Sequence, residues 1–68
     1  MNLNDHEIRV VQEAVELLVK VVALKKFIGG TIYHDLETID KTHLKQQHAT
    51  MSRYHEILES RIARFKRV

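Results

Sequence analysis

Sixty-eight residues carry eleven Lys and Arg against nine Asp and Glu, with no cysteine, no proline and an adjacent glycine pair as the sole glycines. A chain this short buries a small fraction of its surface, and the usual reinforcements are disulfides, metals or partner subunits. The lack of cysteine excludes disulfides and cysteine-based zinc sites, and the net charge of +2 is too small to mark a strongly basic or acidic protein.

The opening MNLNDHEIRV has no basic segment leading into an apolar one, so a secretory signal is not expected. The first predicted element is a helix over residues 5–28. Asn4 or Asp5 is placed to cap it, acidic residues follow in its first turns, and Lys25 and Lys26 fall in its last turn, as the helix dipole favours. Gly29 or Gly30 is expected to end it in a left-handed conformation. The valines favour a strand on propensity, but they do not alternate with polar residues and the run is too long for one strand.

At about 100° per residue, Ile8, Val11, Val15, Leu18 and Val22 form one apolar stripe of this helix. Val10, Ala14, Leu17, Val21, Leu24 and Ile28 form a second beside it. Arg9, Gln12, Glu13, Glu16 and Lys20 gather on the remaining polar face. The apolar arc spans roughly 200°, twice that of an ordinary surface helix, and one partner helix cannot cover it. Glu13, Glu16, Lys20, Lys25 and Lys26 make the segment too charged for a membrane span.

Residues 29–37 read as a connector with a short helical turn, in which Ile32, Tyr33 and Leu36 fold back over the end of the bundle. A second helix is predicted over residues 38–66, starting at Thr38 or Asp40. Leu44, Met51, Leu58 and Phe65 recur in it every seven residues, with Ile62 beside them, which is a coiled-coil-like seam. The expected fold is all-α: a single domain of two long antiparallel helices with a short connector turn, assembled as a homo-oligomeric helical bundle.

Gln47, Tyr54 and Arg61 run beside the seam at the same spacing. An amide, a phenol and a guanidinium along one groove suit a base and a phosphate, since arginine grips phosphate as a planar fork; the same spacing also describes ordinary residues flanking a seam. Gly29-Gly30-Thr31 follows a helix C-terminus and lacks the GK[ST] of a phosphate loop, so it reads as a helix stop. Lys25 and Lys26 are nevertheless positioned to lean toward an anion held by a neighbouring subunit. The five histidines have no i, i+4 pair and no HExxH, so no metal site is expected. The basic tail Arg61, Arg64, Lys66 and Arg67 complements a helix dipole and lacks a recognition-helix pattern, so nucleic acid is not the expected partner. No nucleophile stands in a motif with a base; no catalytic residue, enzyme activity or cofactor is expected.

Phe27-Ile28, Leu36, Leu44, Gln47, Met51, Tyr54, Ile57-Leu58, Arg61-Ile62 and Phe65 together resemble a small family of bacteriophage helical-hairpin proteins, over about residues 8–65. The first helix departs from that pattern in being richer in valine, which bears on how subunits would meet. In size and architecture the chain is similar to viral sponges that bind cyclic nucleotide signals of the CBASS and Thoeris immune pathways without cleaving them. That resemblance implies a homo-oligomer in the cytoplasm of an infected bacterium and a cyclic oligonucleotide or related nucleotide signal as ligand. It implies bases stacked on Tyr54 or Tyr33, Gln47 on a base edge, and phosphates on Arg61 helped by Lys25, Lys26 or Thr31. The alternative is a small phage inhibitor that offers a helical face to a host protein.

Overall fold

The computed structural model describes residues 3–65. Within them the chain forms helix α1 (Asp5–Ile28), a single turn α2 (Thr31–His34) and helix α3 (Thr38–Ala63), with no strand among the described residues. Asn4 caps α1: its side-chain oxygen accepts from the Glu7 N–H at 2.9 Å, and the Glu7 carboxylate accepts from the Asn4 N–H at 3.1 Å. The reciprocal pair satisfies two backbone donors that a helix start leaves without partners. Asp5 and Glu7 in the first turn and Lys25 and Lys26 in the last complement the dipole of α1.

The glycine pair ends α1 without a left-handed residue, contrary to the sequence expectation. Gly29 has φ −80° and ψ −2°, still right-handed, and no glycine has positive φ. Its N–H continues to the Lys25 carbonyl at 3.1 Å, and the Gly30 N–H reaches the Phe27 carbonyl at 3.0 Å. Gly30 then turns extended and opens α2. Two residues of poor helix propensity in succession are enough to stop the helix here. The chain closes α3 the same way, with Arg64 capping at φ −91°. This ends α3 at Ala63, short of the expected Lys66, which lies outside the described residues.

α3 returns along one stripe of α1. Val10, Ala14 and Leu58 make the buried centre, and Leu17, Ile62 and Phe65 pack around it half-buried. Leu58 is wholly enclosed, worth roughly 1.5–3 kcal/mol of apolar burial. Small Ala14 opposite large Leu58 lets the helices approach closely. The shielded positions of α3 step by threes and fours through Lys41, Leu44, His48, Met51, His55, Leu58 and Ile62, and Phe65 just past its end keeps the step, the period of a coiled-coil seam. Two of these seam positions hold histidine. His55 pairs through Nδ1 with Glu59 at 3.1 Å, and the Nε2 of His48 is enclosed without a hydrogen-bond partner among the described residues.

Tyr33 of α2 closes the connector end. It is buried, its hydroxyl donates to the Lys41 carbonyl at 3.4 Å, and the Lys41 ammonium sits 5.8 Å from the ring centre. Leu36 is half-buried there while Ile32 stays exposed. Among the described residues nothing covers the other apolar stripe of α1: Ile8, Val15, Leu18, Val19 and Val22 all face outward, with Val11 half-buried beside them. No helix among the described residues is long and apolar enough to cross a membrane.

Candidate functional site

The one side chain–side chain hydrogen bond that the described residues make between α1 and α3 lies on the flank away from that apolar stripe. The Tyr54 hydroxyl of α3 donates to the Glu13 carboxylate of α1. Tyr54 is partly exposed, so its ring lies on the surface of the helix pair with its oxygen tethered at one edge. The tether raises the phenol above its ordinary pKa of 10.0. The hydrogen bond to Glu13 is the main cause, with desolvation and the carboxylate charge adding to it. Arg61 acts in the opposite direction, so its charge falls within reach of the same oxygen.

Around Tyr54 the helix period collects a cluster of side chains. Arg53, Ile57 and Arg61 follow one another four residues apart and share a face. Ala49, Thr50, Arg53, Tyr54 and Ile57 line a shallow, open depression on α3. Ile57 is exposed at its floor. Arg53 pairs with Glu56 at 3.1 Å, with both side chains well solvated. Such a pair is weak and readily exchanged for another anion. A flat aromatic face, an aliphatic floor, a hydroxyl and two guanidiniums therefore meet at one surface. Groups of these kinds are chemically able to hold a ring system next to a phosphate or carboxylate.

The sequence-derived candidates divide between two ends of the molecule. Tyr54 and Arg61 come together as expected. Gln47 lies two turns from Tyr54 on the same face, its side-chain amide 3.6 Å from the sulfur of Met51. Lys25, Lys26 and Thr31 are exposed at the other end. Lys26 stands roughly 20 Å along α1 from Glu13 at 1.5 Å per residue, too far to share a small ligand with Arg61 of its own chain. Tyr33 is enclosed in the connector packing, where its faces meet His34 and Lys41. Glu13, Thr50, Arg53 and Ile57 join the surface without having been singled out in the sequence. Arg53 and Ile57 were legible as the i−8 and i−4 neighbours of Arg61; Glu13 is 41 residues from Tyr54 and no local pattern points to it. Among the described residues, no group of three or more histidines or carboxylates is placed to hold a metal ion. Of the basic tail, Lys66 and Arg67 lie outside the described residues.

Fold and surface together define a small helical-hairpin protein with a tyrosine–arginine face. The chain belongs to the Sequestin family, whose model matches residues 4–64. It is also similar to an uncharacterized 7.5 kDa protein in the denB-rIIB intergenic region of Enterobacteria phage T4, with 34% identity over 61 residues, covering 90% of this chain and 95% of the relative. The resemblance to a small bacteriophage family thus holds along nearly the whole chain. No solved structure matches it significantly.

Proposed function

We propose that this protein sequesters a nucleotide immune signal, of the cyclic oligonucleotide class, and holds it intact during infection of a bacterium. The observation that carries the reading is the tyrosine–arginine face of α3, where Tyr54, Ile57, Arg53 and Arg61 offer a stacking surface beside two phosphate-binding forks. The family name, Sequestin, and the relationship to a phage T4 protein support it. Bases stack on Tyr54 and over Ile57, phosphates displace Glu56 from Arg53 and engage Arg61, and Gln47 reads a base edge. Glu13 holds the phenol in place and repels phosphate from that edge, which directs the anion toward Arg61. The role is one of binding without turnover, exercised in the host cytoplasm.

Calorimetric titration with a panel of cyclic di- and trinucleotides tests this. One of them is expected to bind, and to be recovered chemically unchanged after the protein is heat-denatured. Arg61→Ala removes a charge-assisted hydrogen bond of roughly 1.5–3 kcal/mol, so affinity falls about ten- to a hundredfold. Indifference of the wild-type protein to every nucleotide sinks the reading, and so does recovery of a cleaved product.

A further inference from the structure

We propose that the outer stripe of α1 is a dimer face, and that it receives the same stripe of a second copy running antiparallel, with Val15 of one chain level with Leu18 of the other. The stripe lies about 160° around α1 from Glu13 at 100° per residue, separate from the tyrosine–arginine face and independent of what that face binds.

The need for a partner shows in the surface. Val15 and Val19 are 59% and 65% exposed, and Leu18, Val22 and Ile8 are 45%, 45% and 40% exposed. A contiguous row of large aliphatics in water marks an interaction site. The chain exposes 5529 Å², against roughly 4,450 Å² for a compact monomer of its mass. Its radius of gyration is 15.6 Å, where a compact chain of this length has about 11 Å. α3 cannot supply the cover, because it already occupies the Val10–Ala14–Leu17 side.

The identity of the partner follows from pattern and charge. Ile8, Val15 and Val22 alternate with Val11, Leu18 and Lys25 at three- and four-residue steps, a seam of its own. In an antiparallel pair the two sets face each other. Val11 then meets Val22, Val15 meets Leu18, and Ile8 meets the aliphatic stem of Lys25, each layer repeated by the two-fold axis. The same register brings Lys26, at the edge of the stripe, toward Asp5 of the other chain. The acidic first turn of each α1 thus lies against the basic last turn of its neighbour, with the helix dipoles opposed. A parallel pair sets Lys25 and Lys26 against their own copies with the dipoles aligned. Charge therefore selects the antiparallel dimer.

The absence of native cysteine makes disulfide trapping a clean test. Val11→Cys and Val22→Cys are prepared separately, mixed, and oxidised under mild conditions. In the proposed register each cysteine lies about 16 Å along the axis from its own copy, beyond the reach of a disulfide, but level with the other. The expected result is a mixed disulfide on mixing, and little disulfide from either variant alone. Efficient self-crosslinking of both single variants indicates a parallel pair and overturns the proposal. A monomeric mass for the wild-type protein in sedimentation equilibrium, with no crosslink of either kind, overturns it as well and leaves the stripe to a foreign protein. As a second measurement, Val15→Asp is expected to halve the mass while retaining helical circular dichroism, because Val15 is outside the core formed with α3.

Discussion

Tyr54 and Glu13 join the two long helices by a contact whose protonation state can be read directly. A phenol that donates to a carboxylate is held neutral, so the folded protein retains this proton to higher pH than the unfolded chain does. The contribution to stability is complete below the unfolded pKa near 10 and is lost as pH rises through the higher folded value. Glu13→Ala removes both the hydrogen bond, which is the first cause of the shift, and the carboxylate charge, and the Tyr54 absorbance titration should then move down toward the ordinary tyrosine range. A Tyr33→Phe background isolates the signal, since the chain has two tyrosines. An unchanged titration in the Ala variant would show that the hydrogen bond does not hold the phenol. At this scale the sequence was legible only for side chains related by helix period. Tyr54 and Arg61 were visible as a pair seven residues apart. Their acidic neighbour is brought in by chain reversal, which leaves no trace in local spacing.

The elements were easier to read than their surfaces. Two long helices, the break at the glycine pair and a one-turn connector follow from periodicity, caps and the absence of proline. Both apolar stripes of α1 were equally visible as angles on a wheel. Which of them faces α3 depends on fit, with Ala14 making room for Leu58, and a wheel carries no such information. The seam of α3 was half legible: Leu44, Met51, Leu58 and Phe65 stood out, whereas Lys41, His48 and His55 read as polar although they occupy shielded positions. The left-handed glycine was expected because glycine permits that conformation; permission is not requirement. Since Gly29 sits at φ −80° and a Cβ there meets its nearest heavy atom, the Lys25 carbonyl oxygen, at 3.6 Å, alanine fits without strain. Gly29→Ala should stabilise the protein by about 0.4–1 kcal/mol, by restricting the unfolded chain. Urea titration of both proteins checks this, and a loss of stability would mean that the connector needs a freedom its φ does not reveal.

At the scale of the whole molecule, four described side chains are buried and a full helix stripe is not: Val10, Ala14, Tyr33 and Leu58 form the entire enclosed set. A hairpin with so little interior gains stability from association, and association ties stability to concentration. Melting temperature is therefore expected to climb with protein concentration over about a hundredfold range, and to become independent of it in Val15→Asp. A wild-type melting temperature constant across that range would mean that association adds nothing to the stability of the hairpin. The proposed pairing also disposes the ligand faces. Tyr54 and Arg61 lie on the flank opposite the dimer stripe, so one dimer carries two such faces pointing away from each other. The antiparallel register moves Lys25 and Lys26 of the second copy to the end of the molecule where Arg61 lies.

The helix pair measures 52 × 15 × 15 Å, and this slenderness governs how the protein moves through a solvent or a gel matrix. A rod more than three times as long as it is wide experiences greater drag than a sphere of equal mass, and end-over-end tumbling sweeps a volume that a porous bead registers as a larger particle. A single 8.0 kDa chain thus elutes from a sizing column ahead of compact proteins of its mass and imitates a dimer. Two chains joined side by side along α1 double the mass while barely adding length, so they elute earlier by less than a doubling of mass suggests. Elution volume consequently blurs the two states. Light scattering and sedimentation equilibrium, which weigh the particle irrespective of its outline, separate them.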